Sequence, residues 1–292
     1  MIHYNPKDWF TFIFHIHKGD TFRKLWPLMI SISIFSAFVA FLELNVFKLS
    51  KSDYVSNIGM MHSLLGFVIS MLLVFRTNTS YDRWWEGRKK WGELVNNTRN
   101  FAIKVGSMTT NREIESYFAR MIPNYAFAMK EHLRSGVKME ELDLTPEEIE
   151  ILEKTAHKPS FIAKWMYAKL DKMKQDKILT QEEFLSMDVN LKTFSDIIGA
   201  CERIKNTPLP YSYSNFMKKF IFIYVTTMPL AFVNTFGYWS VLITVSVFYI
   251  LVSLEILAEE IEDPFGLDPN DLPTDELSQK IRDNVQELLK ED

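Results

Sequence analysis

The stretch RTNTSYDRWWEGRKKW, residues 76–91, follows directly on an apolar segment at residues 57–75, and no proline separates the two. About 20 apolar residues of helix are needed to cross the hydrocarbon core of a bilayer. Charged and aromatic residues of the kind that follow Phe75 are typical of the boundary between lipid headgroups and water. The sequence therefore predicts one helix that leaves a membrane and continues into water.

Two other regions are long and apolar enough to span a bilayer, although 24% of all residues are charged. Residues 26–47 are apolar apart from serines and a late Glu43 and Asn45, and residues 220–256 form a longer apolar block. Within that block only residues 234–238 (NTFGY) have a turn-like composition, so we predict two helices joined by a tight turn. The first run is too long for a signal peptide, and we expect four retained spans.

The distribution of lysine and arginine predicts the orientation of these spans. Four spans place both termini on one side of the membrane, and the links after Phe47 and Val233 on the other. The second side carries only Lys48 and Lys51 near its spans. Because cytoplasmic segments are rich in lysine and arginine, we expect the termini and the middle segment to be cytoplasmic. The basic residues on that side are Lys18, Arg23, Lys24, Lys218, Lys219 and those of residues 76–99.

The middle of the chain is predicted to be helical and aqueous. Thr145 and Thr180 each precede a glutamate by three residues, which is the capping-box pattern of a helix start. Pro208 and Pro210 are expected to break the helix before the third span. The predicted organisation is a segment with the first two spans (1–76), a cytoplasmic helical domain (77–216), the last two spans (217–257) and a cytoplasmic C-terminal segment (258–292).

Composition argues against several classes of function. The 33 basic and 37 acidic residues are nearly balanced, which gives no basic surface for nucleic acid. One cysteine, Cys201, cannot form an intrachain disulfide and is expected to be a small buried thiol. Because no Ser/His/Asp set, glycine-rich phosphate loop or Cys/His metal pattern is present, we expect neither an enzyme nor a bound cofactor or metal. A carrier that handles its substrate through His62, Ser63 and Ser70 is an alternative interpretation.

Small residues form a stripe on the second span. At 100° per residue, four of them fall on one narrow face of the helix, with spacings of four and three. Small residues let helices approach each other closely. This small-residue stripe predicts helix–helix packing, and its members are Gly59, Ser63, Gly66 and Ser70.

A second stripe on the same span is bulky. Phe67, Met71 and Phe75 are spaced by four and lie about 110° around the helix from the small-residue stripe. A lipid-facing surface explains this pattern. A ring of helices also explains it, since each helix would touch its neighbours through small residues and turn bulky apolar side chains to the axis. Such an apolar constriction gates ions by dewetting.

Three segments resemble the bacterial bestrophin family: residues 75–92 (FRTNTSYDRWWEGRKKWG), 199–211 (GACERIKNTPLPY) and 257–273 (LAEEIEDPFGLDPNDLP). They stand in the family's order and spacing, and the likeness covers nearly the whole chain. The resemblance implies an all-α membrane protein, a homopentamer with four transmembrane helices per chain around a central pore. It implies an ion channel of a bacterial plasma membrane that passes small monovalent ions without energy input.

The resemblance also implies which residues form the pore. The family's three neck positions fall on Phe67, Met71 and Phe75, the same residues as the bulky stripe. Its cytoplasmic exit constriction falls on Glu182, within one or two residues. A ring of five carboxylates there would attract cations and repel anions, so we expect cations to pass. The alternatives are an anion (chloride) channel of the same fold, in which Glu182 is only a favourable first-turn acid, and less simply a carrier or scaffold.

Vertebrate bestrophins, which resemble this chain less, carry a calcium clasp in a run of acids after their Pro-Phe-Gly motif. Here that place reads LDPNDLP, residues 267–273. Calcium prefers six to eight oxygen ligands, and the dense run of acids is absent. We therefore expect no calcium gating. Nearby, Glu255, Glu259 and Glu262 share one helical face, and we expect them to pair with the basic helix at residues 83–90.

Overall fold

The computed structural model describes residues 21–47 and 53–289, and these residues form helices and no strand. The predicted all-α class is therefore confirmed. One turn of π-helix (Leu42–Phe47) and one of 3₁₀-helix (Met139–Glu141) accompany the α-helices. In chain order the α-helices are α1 (Thr21–Phe41), α2 (Asp53–Met108), α3 (Arg112–His132), α4 (Pro146–Glu153), α5 (Lys158–Gln175), α6 (Gln181–Asn206), α7 (Tyr211–Phe236), α8 (Trp239–Glu262) and α9 (Thr274–Leu289).

Helix α2 contains both the apolar segment at residues 57–75 and the charged segment at residues 76–91. It is continuous from the apolar segment through the charged one, because no residue in it forces the backbone out of helical geometry. At 1.5 Å per residue it is about 84 Å long, which is far more than a bilayer requires. The prediction of one helix that passes from an apolar segment into a polar one is confirmed.

Four helices are long and apolar enough to cross a membrane, as the sequence predicted. They are α1 with its π-turn, the apolar part of α2, and the pair α7 and α8. The last two helices are separated at Gly237, whose φ of +58° lies in the left-handed region that favours glycine. The predicted tight turn at residues 234–238 is thereby confirmed.

Helix starts and stops follow local chemistry. Thr145 and Thr180 each accept a hydrogen bond from the backbone of a glutamate three residues on, and each glutamate carboxylate bonds back to the threonine N–H. Both capping boxes are confirmed. Helix α6 ends at Asn206 and α7 begins at Tyr211, so the break predicted from Pro208 and Pro210 is confirmed as well.

The described chain divides into two compact units. The first comprises the described residues up to Arg83 together with Pro208–Glu262 and Asp268–Asn270. In it α1, α7 and α8 pack on one another, and α2 contributes Ile69 and Leu73 to an apolar cluster. The partners of Ile69 and Leu73 in this cluster are Met217, Ile221, Tyr224, Val225, Met228, Phe248 and Leu251.

The second unit comprises Trp84–Thr207, Asp263–Leu267 and the described residues from Asp271 onward. Helix α3 is its centre, because every residue from Met121 to Glu131 is buried. Helices α5 and α9 pack against α3, and α6 packs against α5. The result is one large apolar core of helices.

Candidate functional site

The bulky stripe of α2 faces away from the rest of the chain that the structure describes. Phe67, Met71 and Phe75 are 63%, 45% and 56% exposed, whereas Ile69 and Leu73 are each 1% exposed. At 100° per residue the middle of the stripe lies about 180° from the middle of the buried pair. The three residues predicted for the neck therefore share one face, and that face is free to meet lipid or another copy of the helix.

The glycines of the small-residue stripe lie against helix α7 of the same chain. A Cβ at Gly66 would lie 2.6 Å from the hydroxyl oxygen of Tyr224, and one at Gly59 would lie 3.6 Å from the carbonyl oxygen of Ala231. Glycine at position 66 is thus required by the close approach of a tyrosine. Packing against α7 within the same chain therefore accounts for the two glycines of the stripe.

The serines of the stripe behave differently from its glycines. Ser63 and Ser70 are exposed, and each hydroxyl donates to the carbonyl four residues earlier, at 3.0 Å and 2.8 Å. This bond satisfies the hydroxyl inside the helix and leaves a small, nearly flat surface. Their role in packing between subunits stays a prediction.

His62 is used for packing. Its ring is buried and stacks on Tyr224 with the centroids 4.1 Å apart, and Phe232 meets it edge-on at 5.6 Å. A side chain enclosed by two aromatic rings has little access to a passing substrate. This surrounding does not favour the carrier interpretation.

An ion cluster lies where α2 leaves its apolar segment. The Nη1 atom of Arg76 lies 2.6 Å from a carboxylate oxygen of Glu262, and its Nε atom lies 3.6 Å from Glu255. Arg76 is 1% exposed. It has the helical phase of the buried Ile69 and Leu73, which turns it inward toward α8.

The expected partners of the α8 acids were wrong in part. We predicted ion pairs with the basic helix at residues 83–90, but Glu255 and Glu262 pair with Arg76, and Glu259 pairs with Lys218 at 3.0 Å. Within the predicted helix, Arg83 donates its Nε–H to the backbone carbonyl of Glu262 at 3.0 Å. The periodicity of α8 shows which acids share a face, but it does not identify the residues of other helices with which they pair.

The carboxylate of Glu260, next to residues 267–273, is already bound by two donors. Lys24 pairs with Glu260, and Asn270 donates its amide N–H to the other oxygen of Glu260 at 2.6 Å. Calcium needs several converging oxygen ligands, whereas an ammonium and an amide N–H already bind this carboxylate.

Glu182 lies exposed in the first turn of α6. The neighbouring Glu183 supplies the capping box with Thr180, so the carboxylate of Glu182 is not needed for the cap. This position suits both interpretations of the residue, an exit carboxylate and an acid favoured by the helix dipole.

A polar depression of about 570 Å³ opens between α2 and α6 in the second unit. Lys89, Asn96 and Asn100 of α2 line it and are exposed, and Thr193 of α6 completes its wall. Sequence reasoning missed these residues. Their signal was available, since Lys89, Asn96 and Asn100 recur at spacings of seven and four along α2.

Cys201 is buried in the core of the second unit, as predicted. Burial raises the pKa of its thiol to about 12, although nearby Lys90 acts to lower it. The residue is therefore protonated at neutral pH and unreactive.

Comparison with known proteins decides the family. The family described as "Bacterial/Fungal Bestrophin protein" matches residues 1–287. The chain belongs to the bestrophin family. A protein of Nostoc sp. named voltage-dependent anion channel-forming protein alr2987 is 33% identical to this bestrophin. The match covers 97% of this chain and 92% of the relative. The Escherichia coli K12 protein of the same description, YneE, is 30% identical over 78% and 76% of the two chains.

Solved structures share the fold. A bacterial bestrophin homologue from Klebsiella pneumoniae superposes on this bestrophin with a TM-score of 0.83 at 23% identity, covering 89% of this chain and 97% of that one. Members of the family are ion channels and not enzymes, so the chain is a membrane protein that acts on ions. The predicted family and the predicted class of function are both confirmed.

Proposed function

We propose that this bestrophin is a homopentameric channel that passively conducts small monovalent anions across a bacterial plasma membrane. The observation that carries the proposal is the exposed stripe Phe67, Met71 and Phe75, opposite the packed face of α2. Because α2 already buries its other face within the chain, the stripe needs an occupant outside it. A ring of five α2 helices provides one around an aqueous axis.

The neck of this pore would be apolar. Five copies of Phe67, Met71 and Phe75 would form stacked rings without charge, and such constrictions control ion passage by wetting and dewetting. Met71 is flexible, so this neck would be softer than one of β-branched residues. The small exposed surfaces at Ser63 and Ser70 would let neighbouring α2 helices approach closely.

The choice of anions rests on the relatives and on the charge of the polar depression. The Nostoc and Escherichia coli relatives carry "anion channel" in their names. Glu93 in the lining of the depression pairs with the neighbouring Lys90 at 2.8 Å, whereas Lys89, beside Asn96 and Asn100, has no ion pair among the residues that the structure describes. Ammonium and amide N–H groups are donors that an anion can use. The expected cation selectivity, which rested on Glu182 alone, is not supported.

The proposed orientation keeps both termini and residues 77–216 in the cytoplasm. It rests on the excess of lysine and arginine on that side. The proposed limits of the segments are 1–76, 77–216, 217–257 and 258–292, with the lipid bilayer around the spans and the permeant ions as the other partners. No metal, cofactor or nucleic acid enters the proposal.

The reversal potential of purified channels in planar bilayers under a KCl gradient tests the ion. The native chain, Lys89→Ala and Glu182→Ala are compared, after the mass of each detergent-solubilised assembly has been measured. We expect pentamers, a native reversal potential near that of chloride, a shift toward zero in Lys89→Ala, and no shift in Glu182→Ala.

Three results would contradict the proposal. Cation selectivity that declines in Glu182→Ala would restore the exit carboxylate ring. An unchanged anion selectivity in Lys89→Ala would remove the polar depression from the ion pathway. Absence of current from well-formed pentamers would favour a carrier or scaffold.

A further inference from the structure

Two histidines and a glutamate converge in the second unit, outside the residues that carry the proposed channel. The Nε2 atoms of His132 and His157 lie 2.7 Å and 2.8 Å from the same oxygen, Oε1 of Glu202. The three side chains come from the end of α3, the N-cap of α5 and the C-terminal part of α6. The cluster therefore connects three helices that lie next to one another only because of tertiary packing.

We propose that His132, His157 and Glu202 form a binding site for a divalent transition metal of the zinc class. The three donor atoms lie within 4.8 Å of one another. Two imidazole nitrogens and one carboxylate oxygen are the donors that Zn²⁺ prefers, and three protein ligands leave the fourth tetrahedral position for water. All three side chains are partly exposed, which gives an ion a path from solvent.

The geometry needs only a small adjustment. Zinc binds nitrogen and oxygen at about 2.0–2.2 Å, so tetrahedral donors lie about 3.3 Å apart. The present separations are 2.7 Å and 2.8 Å. Each imidazole must withdraw by about 0.5 Å, a movement that side-chain rotation supplies. In the metal-free form Glu202 Oε1 accepts an N–H from each ring, and the ion would replace those two protons.

Metal binding at His157 competes with the capping of α5. The Nδ1 atom of His157 accepts the backbone N–H of Ser160 at 3.2 Å, so its proton lies on Nε2 in the metal-free form. Coordination through Nε2 moves the ring proton to Nδ1 and breaks this bond. Loss of one cap is small beside the free energy of metal binding. A substitution that keeps the cap of α5 but removes the metal ligand can therefore separate the two roles of His157.

Asparagine at position 157 keeps the cap and removes the ligand. Its side-chain oxygen is a favoured N-cap acceptor, so His157→Asn should fold with a melting temperature close to that of the native chain. His132→Gln is the second variant, on a different helix. Because His15 and His17 form another candidate pair by spacing, His15→Asn/His17→Asn is the matched control.

Isothermal titration of the full chain with ZnCl₂ tests the site, after tag removal and dialysis against EDTA. We expect one ion per chain at micromolar affinity or better, and a melting temperature raised by about 3 °C or more at saturation. Affinity should fall at least about 100-fold in His157→Asn and in His132→Gln, and should stay unchanged in the control. The channel proposal does not enter this test.

Three outcomes would overturn the site. One is native affinity in both His157→Asn and His132→Gln. Another is loss of binding in His15→Asn/His17→Asn alone, which would assign the ion to the N-terminal pair. The third is absence of zinc binding to the native chain, which would reduce the cluster to a hydrogen-bonded clamp among three helices.

Discussion

The helices of the first unit keep large apolar side chains on their surface, whereas those of the second unit bury theirs in one core. Phe38 and Ile34 of α1 are exposed, as is much of α2 before Arg76. In the second unit α3 is enclosed on all sides from Met121 to Glu131. Both units are helical, so the difference reflects the solvent for which each was selected. The exposed apolar surface of the first suits lipid or a neighbouring subunit, whereas the single apolar core of the second suits water.

The two units also treat buried charge differently. In the first, Arg76 and Glu255 are almost fully buried beside an apolar span. In the second, buried Lys130 pairs with buried Glu131 but also contacts Glu141 and Asp275, which reach solvent. Removing one member of an ion pair should therefore destabilise the chain most in the first unit, where water cannot solvate the charge that is left.

The largest effect is expected at Arg76. Arg76→Met leaves the carboxylates of Glu255 and Glu262 buried without their cation. Breaking a buried pair costs about 3–5 kcal/mol, which corresponds to a melting temperature roughly 10 °C lower. Thermal unfolding of the detergent-solubilised chain measures it.

The matched control is a pair that water already surrounds. The side chains of Lys154 and Glu150 are 73% and 71% exposed, and Lys154→Ala should change stability by less than about 0.5 kcal/mol. Replacing Arg76, Glu255 and Glu262 together by Met, Leu and Gln should recover most of the loss. An Arg76→Met variant as mild as Lys154→Ala would contradict the contrast between the units.

An intermediate effect is expected from glycine contacts. Gly66→Ala in α2 should destabilise the chain by about 1–3 kcal/mol, because the new Cβ meets the hydroxyl of Tyr224 at 2.6 Å. Tyr224→Phe removes that oxygen and leaves the next ring atom at 3.4 Å. The double variant should therefore be less destabilised than the sum of the two single ones.

Gly199 in α6 is the control for this contact. A Cβ there meets nothing within 4 Å, and Gly199 lies inside a helix. Gly199→Ala should raise stability by about 0.5–1 kcal/mol, since alanine loses less backbone freedom on folding. If Gly66→Ala is equally stabilising, α2 and α7 do not approach each other as described.

The smallest effect is electrostatic and depends on pH. Burial acts to raise the pKa of Glu148, but hydrogen bonds from Arg120 and the Thr145 N–H lower it by more. A lowered pKa adds stability above the usual glutamate value of about 4.3, and this stability is lost as pH falls through the folded pKa. Glu148→Gln keeps the capping box and loses about 1 kcal/mol at about pH 7. The gap should shrink as pH falls below about 4.3 and close below the folded pKa.

Glu183→Gln is the matched variant. Glu183 makes the same capping bond, to Thr180 at 2.8 Å, and has no ion pair among the residues that the structure describes. Melting curves across this pH range should show almost no gap between native and Glu183→Gln. Equal gaps for the two substitutions would mean that Arg120 contributes nothing.

Much of the fold could be predicted because the signals are local. A proline-free apolar run passing into charge predicted α2, and two capping boxes with a proline break predicted three helix boundaries. The partner of Arg76 could not be predicted, because it depends on how α8 lies against α2. His132, His157 and Glu202 are likewise far apart along the chain, and only the packing of three helices joins them.

The sequence predicted which residues of α2 share the face of the candidate pore, but not what packs beside that face. Spacing alone identified Phe67, Met71 and Phe75 as one face, and burial within the chain agrees that this face is unoccupied. Gly66 and Gly59 of the neighbouring stripe lie against Tyr224 and Ala231 of α7, which no periodicity on α2 could indicate.

Single-channel conductance of neck variants tests the central claim most directly. Phe67→Ala/Phe75→Ala removes two apolar rings from the proposed neck, and Ile34→Ala/Phe38→Ala removes two similarly exposed side chains from α1. If the stripe lines an ion pathway, the first pair should raise conductance or open probability several-fold, and the second should leave both at the native value. Native currents in the Phe67→Ala/Phe75→Ala channel would mean that the stripe faces lipid, and the pore would have to be sought elsewhere.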